Sequence, residues 1–597
     1  MKKIYTKVIC AIGLVSMISF IACNKDFLDK QPKGSVSQQV LATKAGANKL
    51  LIGAYAMLDG QANADYFGSN SNWLCSNLAS HEAIWGTPFW PDVAAFENYI
   101  GMIPINNILE HVWDGNYDGI QRANDVLRLL PLVPENELSA DEALQLKAEA
   151  IFIRAFLHFQ LVLRFLNVPY VDETITFSAG NYNIPNTTPI WPKIEADFQF
   201  AADNLAEIKP DAGRANKWAA KAFLAKVYMQ QHKYAEALPL LTDCIKNGVT
   251  AKGEKYVLYD NYSDNFNANK ESGAESVFAI QYTVNDGSMG DNGNSGEVLV
   301  QPMVPECAGG GCGSVSFDMV NTFKTDSVTG LPLIDTYNDF NIKNDYGLLS
   351  SDPFTPYTGT LDPRLDNTVA RRGIPLFDWG LWIPDWIFTP DEEGPYGWKK
   401  YFFYKADIGI NTESFGGWTT INNDNNIVIR FADVLLLAAE CEVEAGSLAN
   451  AEAYVNQVRA RAANPAGWVK TYVDNNDPTK GFTNTPAANY FIGLYTGQFK
   501  ASGQAYARKA VHFERRLELA LEGHRFFDLQ RWDNGTGSMA DEINSIIAHE
   551  NASPATLPNL KGAVFTKGKN EIFPISQAQI DLSVVNGKSV LVQNPGY

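Results

Sequence analysis

Residues 216–248 read NKWAAKAFLAKVYMQQHKYAEALPLLTDCIKNG, and they carry the strongest helical period in the chain. Apolar residues in the first half are three and four positions apart, at Ala220, Phe223, Leu224, Val227 and Tyr228. This spacing places them on one face of an α-helix. The period breaks at the polar run Gln231-His232-Lys233, so the sequence predicts that a first helix ends there.

A second apolar set follows that break, and Gly248 ends it. Its members are Tyr234, Leu238, Leu241 and Ile245. Two short tandem helices, with alanine at close-packing positions and tyrosine near the turn, resemble a tetratricopeptide repeat. Pro239 fits this interpretation if it lies in the first turn of the second helix, because a helix interior requires the N–H that proline lacks.

The same period recurs towards both ends of the chain. Further helices are predicted over residues 113–130, 146–167, 434–445, 449–462, 513–521 and 525–532. Helix pairs of this kind stack so that neighbours bury each other's apolar faces, and we expect about four of them. The predicted fold class is mainly α. Tetratricopeptide-like helix pairs form a scaffold over residues 41–247 and 421–597, the latter ending in a C-terminal extension.

The middle of the chain, residues 248–420, shows no convincing helical period. It holds 21 of the 46 glycines and five of the 13 tryptophans. A long irregular insertion on a helical scaffold is more often functional than not. We therefore expect a loop-rich ligand-binding region here, although its tryptophans could equally form a core of their own.

Composition and charge indicate a globular protein and argue against a nucleic-acid partner. The 597-residue chain is 46% apolar and 19% charged, which is typical of a globular protein and excludes wholesale disorder. Acidic residues outnumber basic ones by 67 to 48, so the net charge is −19. Because such a surface repels phosphate backbones, no nucleic-acid partner is expected. A neutral partner such as a sugar remains compatible with this charge.

The N-terminus has the pattern of a bacterial lipoprotein signal peptide over residues 1–22. Three lysines precede an uncharged, mostly apolar run from Val8 to Ala22, which is shorter than the ~20 residues of a membrane-spanning helix. Cys23 follows directly, where lipidation is expected, and residues 23–40 would form a lipidated tether. Multiple acyl chains would hold an otherwise soluble protein stably on a membrane. An ordinary signal peptide with a chance cysteine is the alternative.

Several motifs, in their order along the chain, resemble those of the SusD-like (RagB/SusD) proteins. Among them are Cys23-Asn24-Lys25-Asp26-Phe27-Leu28-Asp29, Gln121-Arg122-Ala123-Asn124, Val168-Pro169-Tyr170-Val171, Asp362-Pro363-Arg364-Leu365, Arg430-Phe431-Ala432-Asp433-Val434-Leu435, Glu514-Arg515-Arg516-Leu517-Glu518-Leu519 and Gln593-Asn594-Pro595-Gly596-Tyr597. Each motif is weak alone. Their joint order is specific and covers nearly the whole mature chain.

The resemblance implies a cell-surface glycan-binding lipoprotein of the outer membrane. Family members capture an oligosaccharide or polysaccharide outside the cell and deliver it to a SusC-like TonB-dependent transporter, on which they sit as a lid. The fold that the resemblance implies is a platform of tetratricopeptide-type helix pairs under a loop-rich ligand-binding region. It implies no catalysis.

Charged residues near the C-terminus are interpreted as structural. The cluster consists of Arg515, Arg516, Glu518, Glu522 and Arg525. Guanidinium groups make bidentate hydrogen bonds to carboxylates, so such a cluster can be satisfied by ion pairing alone. Asp433 and Glu440 are seven residues apart, which places both on one helix face, where they could support a neighbouring helix.

A sugar ring has an apolar face and a rim of hydroxyls, so its site needs a flat aromatic ring beside polar groups. Residues 65–92 offer this mixture in the loop that commonly contributes to the site of SusD-like proteins. The predicted ligand-binding residues there are Asn72, Trp73, Trp85, Trp90 and Asp92. In the middle insertion they are Trp382, Trp386 and Tyr396. Trp113, Trp218 and Trp532 lie on helical faces and are expected in the core.

Two other functions stay open at this stage, a surface glycoside hydrolase and a peptide-binding member of the same family. The sequence contains no G-x-S-x-G, Walker or G-x-G-x-x-G motif. His81-Glu82 begins like a zinc-protease motif, but Trp85 stands where the second histidine is required. We therefore predict no catalytic residues, no metal and no cofactor.

Overall fold

The computed structural model describes residues 38–60, 72–86, 89–307, 309–417, 419–553 and 557–597. The predicted signal peptide and the lipidation site Cys23 lie outside these residues. So does the part of the predicted ligand loop that precedes Asn72. None of the described helices combines the length and the apolar composition that crossing a bilayer requires.

Helices dominate the described part of the chain. They are α1 (Gln38–Leu41), α2 (Lys44–Tyr55), α3 (Pro91–Asn98), α4 (Asn107–Leu129), α5 (Ala140–Phe165), α6 (Trp191–Asn204), α7 (Lys217–Gln230), α8 (Tyr234–Asn247), α9 (Phe317–Asn321), α10 (Leu365–Thr368), α11 (Pro390–Glu393), α12 (Phe431–Ala445), α13 (Leu448–Ala462), α14 (Gln498–Ser502), α15 (Gln504–Glu518), α16 (Arg525–Asp533), α17 (Ser538–Ala552) and α18 (Gln577–Leu582). A π-helical turn spans Trp73–Leu78.

The strands are short and pair two by two. They are β1 (Ala83–Ile84), β2 (Ser276–Ile280), β3 (Ser314–Val315), β4 (Val369–Ala370), β5 (Pro375–Leu376), β6 (Gly380–Leu381), β7 (Gly397–Trp398), β8 (Thr412–Phe415), β9 (Thr419–Asn422), β10 (Asn426–Arg430), β11 (Lys470–Tyr472), β12 (Phe482–Pro486), β13 (Val584–Val585) and β14 (Lys588–Ser589). The antiparallel pairs are β1–β3, β2–β10, β4–β7, β5–β6, β8–β9, β11–β12 and β13–β14.

The long helices pack on one another in sequence, as tetratricopeptide-like pairs do. Neighbours from α4 to α8 are in contact, α8 packs on α12, and α12 packs on both α13 and α15. Helix α5 is buried on nearly all sides from Ala148 onward, which explains why apolar residues occur on all of its faces. The mainly α fold class is therefore confirmed.

Side-chain caps fix where these helices begin. Ser139 and Glu142 form a reciprocal capping box at the start of α5. Asn216 accepts a hydrogen bond from Ala219 N at the start of α7. Pro239 lies in the second turn of α8 and not in the first, so this helix forgoes one backbone hydrogen bond.

The predicted charge cluster is a buried ion network. Glu514, Glu518 and Glu522 follow one another at four-residue spacing, in α15 and the turn after it, and all three are buried. Their cationic partners come from four distant segments of the chain: Arg364, Arg430, Arg459, Arg461 and Lys400. The nitrogen–oxygen distances include 2.8 Å for Arg459–Glu514 and 2.9 Å for Arg364–Glu518.

The structural interpretation of the cluster is confirmed, but its charges do not pair with each other. Arg515 binds Asp433 at 2.7 Å and Asp528 at 3.0 Å, and Arg531 binds Glu440. Asp433 and Glu440 of α12 thus hold α15 and α16, as their shared helix face predicted. The adjacent arginines hold the pKa of Glu518 well below its ordinary value, although burial alone would raise it.

Of the three tryptophans expected in the core, two are buried and the third is not. Trp113 and Trp218 are buried, which confirms the prediction. Trp532 is only half-buried, because it lines an open cavity where its ring stacks on His512 with centroids 3.6 Å apart.

Replacing Glu518 with glutamine should lower the free energy of unfolding by about 3–5 kcal/mol, because Arg364, Arg430 and Arg461 would remain buried without their shared carboxylate. Chemical denaturation followed by circular dichroism measures the change. Lys509→Gln is the matched control, since the Lys509–Asp335 pair is exposed and should cost under about 1 kcal/mol. Equal effects of the two substitutions would contradict the structural role of the network.

Candidate functional site

The structure brings the two predicted ligand segments together. Strand β1 pairs with β3, and Val315 N of β3 donates to Tyr396 O at 3.2 Å. Gly86, directly after β1, approaches the backbone of Glu393 so closely that a Cβ atom would lie 2.7 Å from its Cα. The segment that contains Trp85 therefore lies beside the segment that ends at Tyr396.

Three indole rings lead from the core to the surface in the first segment. Trp73 and Trp85 are buried, with ring centroids 6.0 Å apart. Trp90 stacks on Trp85 at 5.8 Å with an interplanar angle of 19°, and it is 44% exposed. The Trp85 indole N–H donates to Phe89 O at 2.8 Å, which fixes that ring. Trp90 is thus an open aromatic surface on a rigid, buried support.

The start of α3 sets the position of Trp90. Trp90 has φ +58°, and Pro91 follows as the first residue of the helix. The Trp90 carbonyl accepts hydrogen bonds from Val93 N and Ala94 N. Asp92 is half-buried, and its carboxylate accepts from Asn107 N at 3.4 Å. Asp92 therefore joins α3 to α4 while it lies two residues from the open indole.

Asn72 lies away from this surface. Its side chain accepts a hydrogen bond from the Arg164 guanidinium, and it lines an interior cavity of about 60 Å³ between helices. A cavity of this size admits water but no sugar ring. We therefore leave Asn72 out of the candidate site.

Trp382, Trp386 and Tyr396 form core in this structure. They are 1%, 7% and 2% exposed. The rings of Trp382 and Trp386 meet edge to face at 5.6 Å, and the indole N–H of Trp382 and the hydroxyl of Tyr396 each donate to a backbone carbonyl at 3.4 Å. Since none presents an open ring face, these residues position the site and do not form its surface.

Two exposed phenylalanines, close in sequence to Trp90 and Trp386, are not among the predicted ligand-binding residues. Phe89 is 62% exposed directly before Trp90. Phe388 is 48% exposed, two residues after Trp386, and its N–H donates to Gly311 O at 3.1 Å. Their positions close to the predicted tryptophans are the sequence signal that could have identified them as candidate ligand-binding residues.

Two buried carboxyl groups lie beneath this surface. Glu97 of α3 accepts from Gly86 N at 3.4 Å and from the Asn559 side chain at 3.1 Å. Glu393 of α11 accepts from the Thr389 hydroxyl at 2.6 Å. Burial raises the pKa of Glu97 to about 7 and the pKa of Glu393 to about 8. Both groups therefore titrate near neutral pH and not near pH 4.5.

The arrangement is suited to binding a ligand that has an apolar face. Open aromatic rings can cover the apolar face of a ligand, and the neighbouring backbone can meet its polar edge. Within the described ranges, no group of three or more histidine, cysteine, aspartate or glutamate side chains is placed to hold a metal ion.

Two family models match the chain. The model described as "SusD family" matches residues 274–597, and the model described as "Starch-binding associating with outer membrane" matches residues 26–229. SusD-like protein P25 of Formosa agariphila is 25% identical over 86% of this chain and 88% of its own length. SusD-like protein P2 of the same organism is 23% identical over 98% of both chains.

Solved structures share the fold. A SusD superfamily protein from Bacteroides vulgatus has a TM-score of 0.63 at 20% identity, covering 93% of this chain and 99% of that one. A laminarin-binding SusD-like protein has a TM-score of 0.61 at 23% identity, over 93% and 100%. Surface glycan-binding protein A from Bacteroides thetaiotaomicron, in complex with laminarihexaose, has a TM-score of 0.60 at 19% identity, over 92% and 99%.

Raising the pH from 6 to 9 should loosen the segment around Gly86. The raised pKa values of Glu97 and Glu393 mean that the native state holds protons that the unfolded state has lost. Their stabilising contribution is complete below about pH 4.5 and is lost as the pH rises through 7 to 8. Hydrogen exchange, corrected for intrinsic rates, should show increased opening of residues 83–97 and an unchanged α5.

The double substitution Glu97→Gln and Glu393→Gln removes both titrating groups and keeps an acceptor oxygen at each position. It should abolish the pH dependence of exchange in residues 83–97. A dependence that persists in this variant would assign the effect to other groups and contradict the prediction.

Proposed function

The chain belongs to the SusD family, and on this premise we propose that it captures an oligosaccharide at the cell surface for a SusC-like TonB-dependent transporter. The observation that carries the proposal is the stacked pair of Trp85 and Trp90, in which a buried ring supports an exposed one. We infer that the outer indole binds the apolar face of a sugar ring.

The geometry favours a preorganised platform. Trp85 is packed between Trp73 and Trp90, and its N–H is already hydrogen-bonded, so this ring needs no reordering when a ligand binds. A site that is ordered before binding avoids the entropy cost of fixing rotamers. Phe89 and Phe388 add exposed aromatic area in the adjoining segments.

The relatives support a glycan as the ligand class. Among structures of the same fold, one is a laminarin-binding SusD-like protein and another holds laminarihexaose. The N-terminal family model carries the description of starch binding and association with the outer membrane. We propose an oligosaccharide or polysaccharide for this chain and leave its linkage to experiment.

Binding without cleavage is the proposed activity. A glycosidase needs two available carboxyl groups about 5–9.5 Å apart across the scissile bond. Asp433 and Glu440, the acidic pair on α12, are buried and occupied by Arg515 and Arg531. Their ion pairs support a structural role for both.

Attachment to the outer membrane through a lipid on Cys23 completes the proposal. The signal-peptide pattern before Cys23 supports it, and so does the family description of association with the outer membrane. A tethered protein stays at the high local concentration that a lid on a transporter requires.

Trp90→Ala should weaken oligosaccharide binding about tenfold, because it removes the outer ring of the stack. Isothermal titration calorimetry with glucose hexasaccharides of β-1,3, β-1,4 and α-1,4 linkage measures the affinities. Phe177→Ala is the matched control, since Phe177 is 84% exposed in another loop. Unchanged affinity in the Trp90 variant, or new reducing ends released by the wild-type protein, would contradict the proposal.

Affinity purification of the tagged, full-length protein from detergent-solubilised outer membranes should recover a large TonB-dependent β-barrel in near-equal amount. Cys23→Ala is the paired variant, because removal of the acylated thiol should shift the protein into the soluble fraction. Recovery of the wild-type protein without a transporter, or retention of the variant on membranes, would count against the proposed partner and tether.

A further inference from the structure

A second open groove lies between the β11–β12 hairpin and the loop-rich middle of the chain. We call it the hairpin groove; its volume is about 280 Å³, and its aromatic walls are Phe377, Tyr404, Trp468 and Phe482. None of these residues belongs to the candidate site around Trp90. Because about 10–15 Å³ on this measure is enough to hold one water molecule, the groove has room for a much larger ligand.

The aromatic walls are held in place by their own contacts. Phe482 is 45% exposed and stacks on Tyr472 with centroids 5.1 Å apart. The Tyr472 hydroxyl donates to Phe377 O at 2.7 Å and thereby joins the hairpin to the middle region. The Trp468 indole N–H donates to Ala462 O at 3.0 Å, which fixes that ring just before β11.

Phe377 adopts a backbone conformation that a bulky side chain rarely takes. Its φ is +47°, in the left-handed region, where the Cβ atom of an L-residue crowds the backbone. In this conformation its ring lies 4.6 Å from that of Tyr404, centroid to centroid. Backbone strain of this kind persists at functional sites, where the surroundings over-determine it.

Two polar side chains, those of Asn261 and Lys399, also line the groove. The Asn261 side-chain oxygen is buried and has no hydrogen-bond partner among the described residues. The buried Lys399 ammonium, which carries three donors, gives one to Asp366 O at 2.7 Å and one to Pro375 O at 3.0 Å. The lining of the groove therefore combines a buried, unsatisfied amide oxygen with a buried ammonium group.

We propose that the hairpin groove is a second sugar-binding site, which takes a neutral pyranose ring of a glycan chain. Flat rings at fixed positions beside an unsatisfied amide oxygen match the apolar face and the hydroxyl rim of such a ring. The inference rests on the proposed function for the class of ligand. A long polysaccharide held at both sites would dissociate more slowly than one held at either alone.

Fluorine NMR of the protein labelled with 5-fluorotryptophan tests both sites in one sample. Trp90 and Trp468 report on the two sites, and the variants Trp90→Phe and Trp468→Phe assign their signals. The probes are glucose hexasaccharides of β-1,3, β-1,4 and α-1,4 linkage. At least one should shift both signals, with separate saturation curves.

Phe482→Ala should weaken the response of Trp468 about two- to tenfold and leave the response of Trp90 unchanged. Phe482→Tyr, which keeps an aromatic ring, should restore the Trp468 response. The Trp90 signal shows in each sample that the protein is folded. Phe177→Ala is the control for removal of an exposed aromatic side chain, and it should leave both responses unchanged.

The outcomes separate the two proposals. If only Trp90 responds, the hairpin groove is not a sugar site and the proposed function stands. If only Trp468 responds, the groove binds sugar and the assignment of Trp90 is wrong. If neither signal responds to any hexasaccharide, both are contradicted.

Discussion

Buried charge must be paired, and this constraint organises the molecule. Glu514, Glu518 and Glu522 stand in a row along α15 and the turn after it, and all three are buried. Their partners come from β10, α13, the turn before α10 and the segment after β7. The row of carboxylates therefore joins the helical scaffold to the loop-rich middle through buried ion pairs.

Hydrogen bonds connect this ion network to the candidate site. The Asn77 side chain donates to Leu521 O at 3.1 Å and accepts from Gly523 N at 2.9 Å, on either side of Glu522. Glu82 accepts from Leu521 N at 3.1 Å. The turn that ends the carboxylate row thus holds the segment between Trp73 and β1. The indole stack is rigid because its base is anchored to the ion network.

Most of the scaffold could be predicted from the sequence, because apolar periodicity and helix-breaking residues are local signals. The pairs α7–α8 and α12–α13 begin and end within a few residues of the predicted positions. Burial of particular tryptophans could not be predicted, since it depends on distant segments. Trp382 is covered by the chain at Gly397, and Trp90 remains open because Trp85 takes the buried position beneath it. The hairpin groove depends on β11 and β12, and these strands are too short to show the alternating apolar pattern from which a strand is predicted. The groove could therefore not be predicted from the sequence.

The proposed function depends on the exposed indole of Trp90, which stacks on the buried Trp85 and which we propose binds a sugar ring. A crystal structure with the hexasaccharide that binds most tightly is the decisive measurement. We expect a pyranose ring stacked on the Trp90 indole, with Trp85 unmoved behind it. A glycan bound elsewhere, with Trp90 untouched, would show that Trp90 is not the sugar-binding surface.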